Sequence, residues 1–299
     1  MAVPGADLTV ELRRDALLAS VGELRERGRW RRVFYSLELW LPVGFFVVLV
    51  LACFVWPEVY GIPNPVRGNL DLLNLPPLSP HDLFGTDNLG NDVFSRILYG
   101  GRVSLEVGFG ATAIGMAVGG GIGMFAGYRG GVQEAVVMRV LEILLAFAAL
   151  VLAIIVSTYL GPSELHVIWA ISFFSIPTFA RLARASTLRV REYTFIGAAR
   201  LAGTSDGRIL FRHIAPNVFP QLMTYGLLGV GIAIIVEAAL SFLGLGVPPP
   251  GPSWGNMIAV SQQNLTTAPD LLIIPSAFLF ATVLSLNLVG DALRARWAA

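Results

Sequence analysis

Lysine does not occur in the 299 residues, so all 21 basic side chains are arginine. A P-loop needs its lysine to reach the β- and γ-phosphates, and the absence excludes a standard Walker A nucleotide site. Cysteine is almost missing as well. Cys53 stands alone, which excludes an internal disulfide framework and a multi-cysteine metal centre. Charge is scarce, at 14% of residues against 55% hydrophobic, and the mean hydropathy of +0.69 is that of a membrane chain rather than a soluble domain. The net charge of +1 names no partner, and no nucleic acid is expected.

What is present is long apolar runs, and a helix crossing the hydrocarbon core needs ~20 of these residues. Six stretches qualify, at about 39–56, 107–128, 143–160, 165–182, 218–240 and 271–290. They define an all-α integral membrane protein with a six-span domain over 37–296 and an N-terminal arm over 1–36. Arginines orient it, because loops rich in Arg stay cytoplasmic. With both termini inside, the cytoplasmic segments hold seven arginines before the first span, Arg129 and Arg139, seven from Arg181 to Arg212, and Arg294 with Arg296. Arg67, Arg96 and Arg102 alone fall outside. This places loops 57–101 and 244–270 outside the cell and loop 184–215 in the cytoplasm. His81 and His166 then lie across the membrane from His213, so no three-histidine metal site assembles.

Three short patterns suggest other functions, and context removes each. Arg31-Arg32-Val33-Phe34 with Val50-Leu51-Ala52-Cys53 resembles a signal and lipoprotein box, yet the apolar run continues past Cys53 and five more spans follow. The arm is read instead as a cytoplasmic segment that can lie on anionic lipid through its arginines. The string "GGGIGMFAG" fits a loose dinucleotide fingerprint, but no strand precedes it. Ala111, Gly115, Gly119, Gly123 and Gly127 recur every four residues, which predicts a small-residue ridge for close helix packing in lipid. Gly203-Thr204-Ser205-Asp206-Gly207 matches the G-x-S-x-G nucleophile elbow, with His213 beyond it. An elbow needs a strand-to-helix turn, a base and an oxyanion hole. No such surroundings are foreseeable for Ser205, and hydrolysis is disfavoured.

The loop carrying GTSDG alternates charge with Val190, Tyr193, Ile196, Leu201, Ile209, Leu210 and Phe211. This predicts two short amphipathic helices joined by a glycine-bearing turn, with Pro216 opening the next span. An amphipathic pair facing the cytosol suits docking of a soluble partner, with a helix lying against lipid headgroups as the other reading. Gly197-Ala198-Ala199, then Gly203 and His213-Ile214-Ala215-Pro216, resembles the EAA loop of the permeases of binding-protein-dependent ABC importers, written EAA-x3-G-x9-I-x-L-P. The blocks "HDLFGTDNLGNDVFSRILYGGRVSLEVG" from His81 and "EAALSFLGLGVPPPGPSWGNMI" from Glu237 resemble the second permease of dipeptide, oligopeptide and nickel importers.

That resemblance implies a type I ABC importer permease fold and a loop that couples to an ATPase subunit. The coupling residues it marks are Tyr193, Gly197, Ala198, Ala199, Gly203, Thr204, Ser205, Asp206, Arg208 and His213. Ala198 and Ala199 would keep one helix face narrow enough for a cleft, and Gly203 would permit the turn. Gly197 stands where the motif has glutamate, and His213 and Ala215 replace its Ile and Leu. The implied partners are a homologous second permease, one or two ABC ATPase subunits holding ATP and Mg, an extracytoplasmic binding protein, and membrane lipid. No cofactor or metal is expected in this chain, and no enzymatic activity of its own. Substrate is open between peptides, nickel chelates and other small ligands, and an ion-coupled carrier or channel is the distant alternative.

Outside the membrane, Asp82, Asp87 and Asp92 lie in a turn-rich acidic stretch without calcium-loop spacing. With Trp254 they are candidates for binding-protein docking or an outer gate, and the acids are alternatively a cap for a helix beginning near Val93. Asn91 stands where relatives of this type commonly carry arginine. Glu237, close to the outer end of the fifth span, is the candidate pathway residue, with a purely structural role as the other reading.

Overall fold

The computed structural model describes residues 40–62, 64–69, 71–79, 82–146, 149–248 and 250–298. The arm over 1–36 and His81 lie outside the described residues. Every regular element described is helical. In chain order these are α1 (Trp40–Phe54), α2 (Trp56–Tyr60), α3 (Val93–Ile114), α4 (Gly120–Arg129), α5 (Gly131–Ala146), α6 (Ala149–Leu160), α7 (Glu164–Arg191), α8 (Thr194–Leu201), α9 (Asp206–Arg208), α10 (Ala215–Phe242), α11 (Trp254–Ser261) and α12 (Asp270–Ala298). Among the described residues four continuous helices are long and apolar enough to cross a membrane: Val93–Arg129, Glu164–Arg191, Asp206–Phe242 and Asp270–Trp297.

The helices outrun the apolar stretches, for local reasons. The helix that holds the second apolar stretch begins at Val93 rather than near residue 107, because Asp92 caps it by accepting from the amides of Phe94 and Ser95, both at 3.0 Å. Its polar first turns are tolerated because Arg96 meets Asp87 at 3.4 Å, and Arg102 reaches Glu106 and Glu58. The expected second short helix of the arginine-rich loop is not separate. α9 runs through a π-helical turn, Ile209–Ile214, directly into α10. Pro216 sits in the first turn of α10, and the wider turn before it lets the helix continue despite the missing amide hydrogen.

Packing follows the small-residue ridge. A Cβ added at Gly115 would lie 2.3 Å from Ser175 Cβ, at Gly119 2.2 Å from the Ile176 carbonyl oxygen, and at Gly123 2.1 Å from that of Ala180. At Gly127 it would stand 3.0 Å from the Arg184 carbonyl. The ridge therefore presses backbone against backbone along α7. A second π segment, Gly115–Gly119, lies within it. A four-residue step advances by about 40° around an α-helix, whereas a π turn holds more than four residues and turns the step backward. One π turn thus offsets the drift and keeps the ridge on one face.

Three buried apolar clusters hold the bundle. One joins Leu49 and Cys53 of α1 to Ile97, Ile234, Trp254, Met257 and Leu286. A second, at the other end, gathers Tyr128, Phe179, Val190, Ile196, Ile209, Ile214 and Val218. Between them Val107, Ala111, Val167, Ile171 and Leu240 pack α3, α7 and α10 together. Outward faces carry exposed Val48 and Phe280, as expected where lipid is the solvent.

Candidate functional site

The EAA-like loop is built as a compact element on the second cluster. α7 ends at Arg191, and Tyr193 in extended conformation starts α8. Ile196 is fully buried while Gly197 and Ala198 are exposed. Ala199, one turn on from Ile196, packs against the same cluster. The sequence expectation that Ala198 and Ala199 share one narrow outward face is thereby corrected. Positions three apart lie on one side of a helix, so burying Ile196 turns Ala199 inward. Outward lie Gly197, Ala198 and Leu201, the last 92% exposed.

Gly203 closes α8 with φ +76°, a conformation that costs glycine nothing. The amide of Thr204 donates to the Ala199 carbonyl at 3.1 Å and that of Gly203 to the Arg200 carbonyl at 3.0 Å, the paired bonds of a Schellman cap. Ser205, extended at ψ 148°, precedes α9. Asp206 accepts from the Tyr128 hydroxyl at 2.7 Å. Arg208 is exposed at the end of α9. His213 lies in the π turn with its ring 6.5 Å from Phe195, which is itself 5.8 Å from Tyr193. Phe211, on the same turn, is 75% exposed.

No nucleophile elbow is assembled here. Helix, not strand, precedes the turn, and Ser205 Oγ makes no hydrogen bond among the described residues. His213 stands in the aromatic row instead.

At the opposite end the acidic stretch folds on itself. Asp87 accepts from the amides of Leu89 and Asn91 at 2.8 and 2.9 Å, and from Asn91 Nδ2, besides its pairing with Arg96. Asn91 so holds Asp87 through both its backbone and its side-chain amide. Burial raises the Asp92 pKa above the ordinary carboxylate value, against the two capping amides, which lower it. Asp82 pairs its backbone with Ser79 in an isolated bridge. Asp87 and Asp92 thus have partners inside the loop. Trp254 is fully buried, its indole N–H donating to the Ile97 carbonyl at 3.0 Å. Among the described residues no group of histidine, cysteine and carboxylates could hold a metal ion.

Glu237 is fully buried too. Its Oε2 accepts from Ser104 at 3.0 Å and its Oε1 from Ser241 at 2.7 Å. Ser253 Oγ donates to Ser241 Oγ at 3.3 Å, and the Trp254 amide to Ser104 Oγ at 3.4 Å. The carboxylate therefore ties α3, α10 and the segment entering α11 together, where the pathway reading had it facing substrate. Sequence reading missed the cleft that does open between helices. A volume of about 530 Å³ between α7 and α10 is lined mainly by apolar residues, among them Ile171, Phe174, Phe179 and Ala233, with Ser175, Thr178 and Tyr225 as the polar side chains. Ile232 stands exposed at its rim. No local pattern marks it, because both walls look like ordinary lipid-facing helix.

Comparison with known proteins agrees with this architecture. Residues 119–298 match the family model described as binding-protein-dependent transport system inner membrane component. The glutathione transport system permease protein GsiD of Pectobacterium atrosepticum is 40% identical over 291 residues, covering 94% of this chain and 96% of that protein. The dipeptide transport system permease protein DppC of Alkalihalophilus pseudofirmus is 37% identical over 273 residues, covering 89% and 88%. Among solved structures, a chain of the MetNI methionine ABC transporter in inward-facing conformations superposes with a TM-score of 0.57 at 16% identity, covering 67% of this chain and 95% of that one. At that identity the likeness is one of fold alone, an ABC importer permease fold. Since a family model spans more than half of the sequence, and relatives align along nearly all of it, the chain belongs to the inner membrane components of binding-protein-dependent transport systems.

Proposed function

We propose that this chain is one half of the transmembrane pair of a type I ABC importer for di- and oligopeptides, with six spans and both termini in the cytoplasm. Its loop 184–215 receives the closure of an ATPase subunit and passes it to the long helices. The observation that carries this reading is the coupling element itself: Gly197, Ala198, Leu201 and Phe211 stand outward on a base fixed by buried Ile196, Ile209 and Ile214. An exposed apolar patch on a rigid support suits a protein partner. ATP and Mg belong to that partner. A homologous permease supplies the other wall of the α7–α10 cleft, and a binding protein delivers substrate from outside. The peptide class rests on relatives whose named substrates, glutathione and dipeptides, are both small peptides.

Coupling is tested by co-purification. Ala198→Asp places a carboxylate on the outward face, where docking would strip its water, and should lower the associated ATPase about tenfold or more while membrane insertion is unaltered. Ser205→Ala, which removes an exposed hydroxyl, should leave uptake within about twofold of the parent. Uptake lost in Ser205→Ala but kept in Ala198→Asp would restore the hydrolase reading. Substrate class is checked by mass spectrometry of the ligand carried by the cognate binding protein.

Orientation has its own check. With the buried Cys53 replaced, a single cysteine at the exposed Asp71 should react with a membrane-impermeant thiol reagent on intact cells, and one at the exposed Ser205 should not. The opposite labelling would invert the topology.

A further inference from the structure

The coupling element is joined covalently to two of the long helices, since α7 leads into α8 and α9 continues into α10. The helix Val93–Arg129 has no such connection, yet it carries the glycine ridge along which α7 is locked. Its end reaches the coupling element through the apolar packing of Met124 and Tyr128 on the second cluster and through one polar side chain. Tyr128, 8% exposed and the penultimate residue of α4, donates its hydroxyl to Asp206 Oδ1 at 2.7 Å. Its ring lies beneath the guanidinium of Arg200, 5.3 Å from the centroid. Arg200 belongs to α8 and Asp206 to α9, and the turn at Gly203 separates them. One tyrosine therefore holds both limbs of the turn, one by its hydroxyl and one by its face. Arg191 pins the same helix end from α7 by donating to the carbonyls of Gly127 and Tyr128, at 3.1 and 3.4 Å.

We infer that Tyr128 is a positioning residue for transport, through which displacement of the coupling turn reaches the helix Val93–Arg129. This rests on the coupling role proposed for the loop. The hydroxyl bond is charge-assisted and sits at the edge of the apolar cluster, which makes it short and directional. Without it the turn can rock against α4 while its apolar contacts persist, and motion delivered by the ATPase is dissipated in the loop.

The test uses the assembled importer in proteoliposomes with its binding protein, reduced glutathione and a dipeptide as probes, and the ratio of probe imported to ATP hydrolysed as readout. Tyr128→Phe keeps the ring under Arg200 and loses only the hydroxyl. It should lower the ratio about tenfold or more, the scale of one hydrogen bond to a charged group. Asp206→Ala should do the same, Asp206→Asn should restore most of it because an amide oxygen still accepts, and the double variant should be no worse than either single. A general packing defect would lower the amount of assembled complex instead, which is measured in parallel. A parental ratio in Tyr128→Phe overturns the inference. It does so alone if Ala198→Asp still loses the ATPase, and together with the coupling role if it does not.

Discussion

Gly123→Val is expected to leave little folded protein in the membrane, while Gly121→Val, two residues away on the same helix, is expected to match the parent. The first Cβ would stand 2.1 Å from the Ala180 carbonyl oxygen and 2.8 Å from its Cα, so α4 and α7 must separate. The obstruction is backbone, not a side chain that can swing aside. In lipid the dispersion contacts at the ridge are what holds these helices together, and once they are lost no hydrophobic effect draws the helices back. Over-packing of about 3 kcal/mol, with loss of the contacts on either side, exceeds what a marginally stable fold can spare. A Cβ at Gly121 meets nothing within 4 Å. The measurement is the yield of monodisperse protein on size exclusion after detergent extraction. Equal yields for the two variants would mean that the ridge does not pack as described.

Glu237→Ala should be nearly as damaging, and Glu237→Gln should not. Alanine leaves the hydroxyls of Ser104 and Ser241 without their buried partner and opens a void where the carboxylate stood. Orphaned buried polar groups and a cavity together cost about 3 kcal/mol or more. Glutamine keeps the shape and one acceptor oxygen, and its amide can turn toward a serine oxygen, so a loss of about 1 kcal/mol is expected. Thermal unfolding in detergent ranks the three proteins. The segment from Val247 to Trp254 should open first in the alanine variant, seen as faster hydrogen exchange there, because Ser253 and Trp254 hang on the same network. Should Glu237→Gln melt like the parent yet lose transport, the carboxylate would be acting on substrate rather than on the fold.

Features with local causes are legible in the amino-acid order alone. The glycine period points to a close helix contact and Gly203 to a turn, and the backbone shows both, while Asp92, a docking or gate candidate with a cap as the alternative reading, caps α3. In each case the signal lies within a few residues, in a repeat of four or in the one residue type that a conformation tolerates. Placement relative to distant elements is not legible in this way. Ala199 looks equivalent to Ala198 until the burial of Ile196 sets the rotation of α8. Trp254, a candidate from the sequence for binding-protein docking or an outer gate, is buried against Gly101 with its N–H given to α3.

By itself, then, the sequence determined the solvent and the secondary structure: apolar runs separated by arginines require lipid, and in lipid backbone groups must be satisfied within helices. It determined the family as well, through long blocks that align without reference to contacts. Only the tertiary structure decided that the π turn at Gly115–Gly119 keeps the ridge on one face, that Glu237 meets a serine 133 residues away, and that Tyr128 meets Asp206 across 78. Periodicity reports which side of a helix is special, but not which helix will face it. That choice depends on the summed packing of all the spans, and a pair such as Tyr128 and Asp206 exists only after that packing is complete.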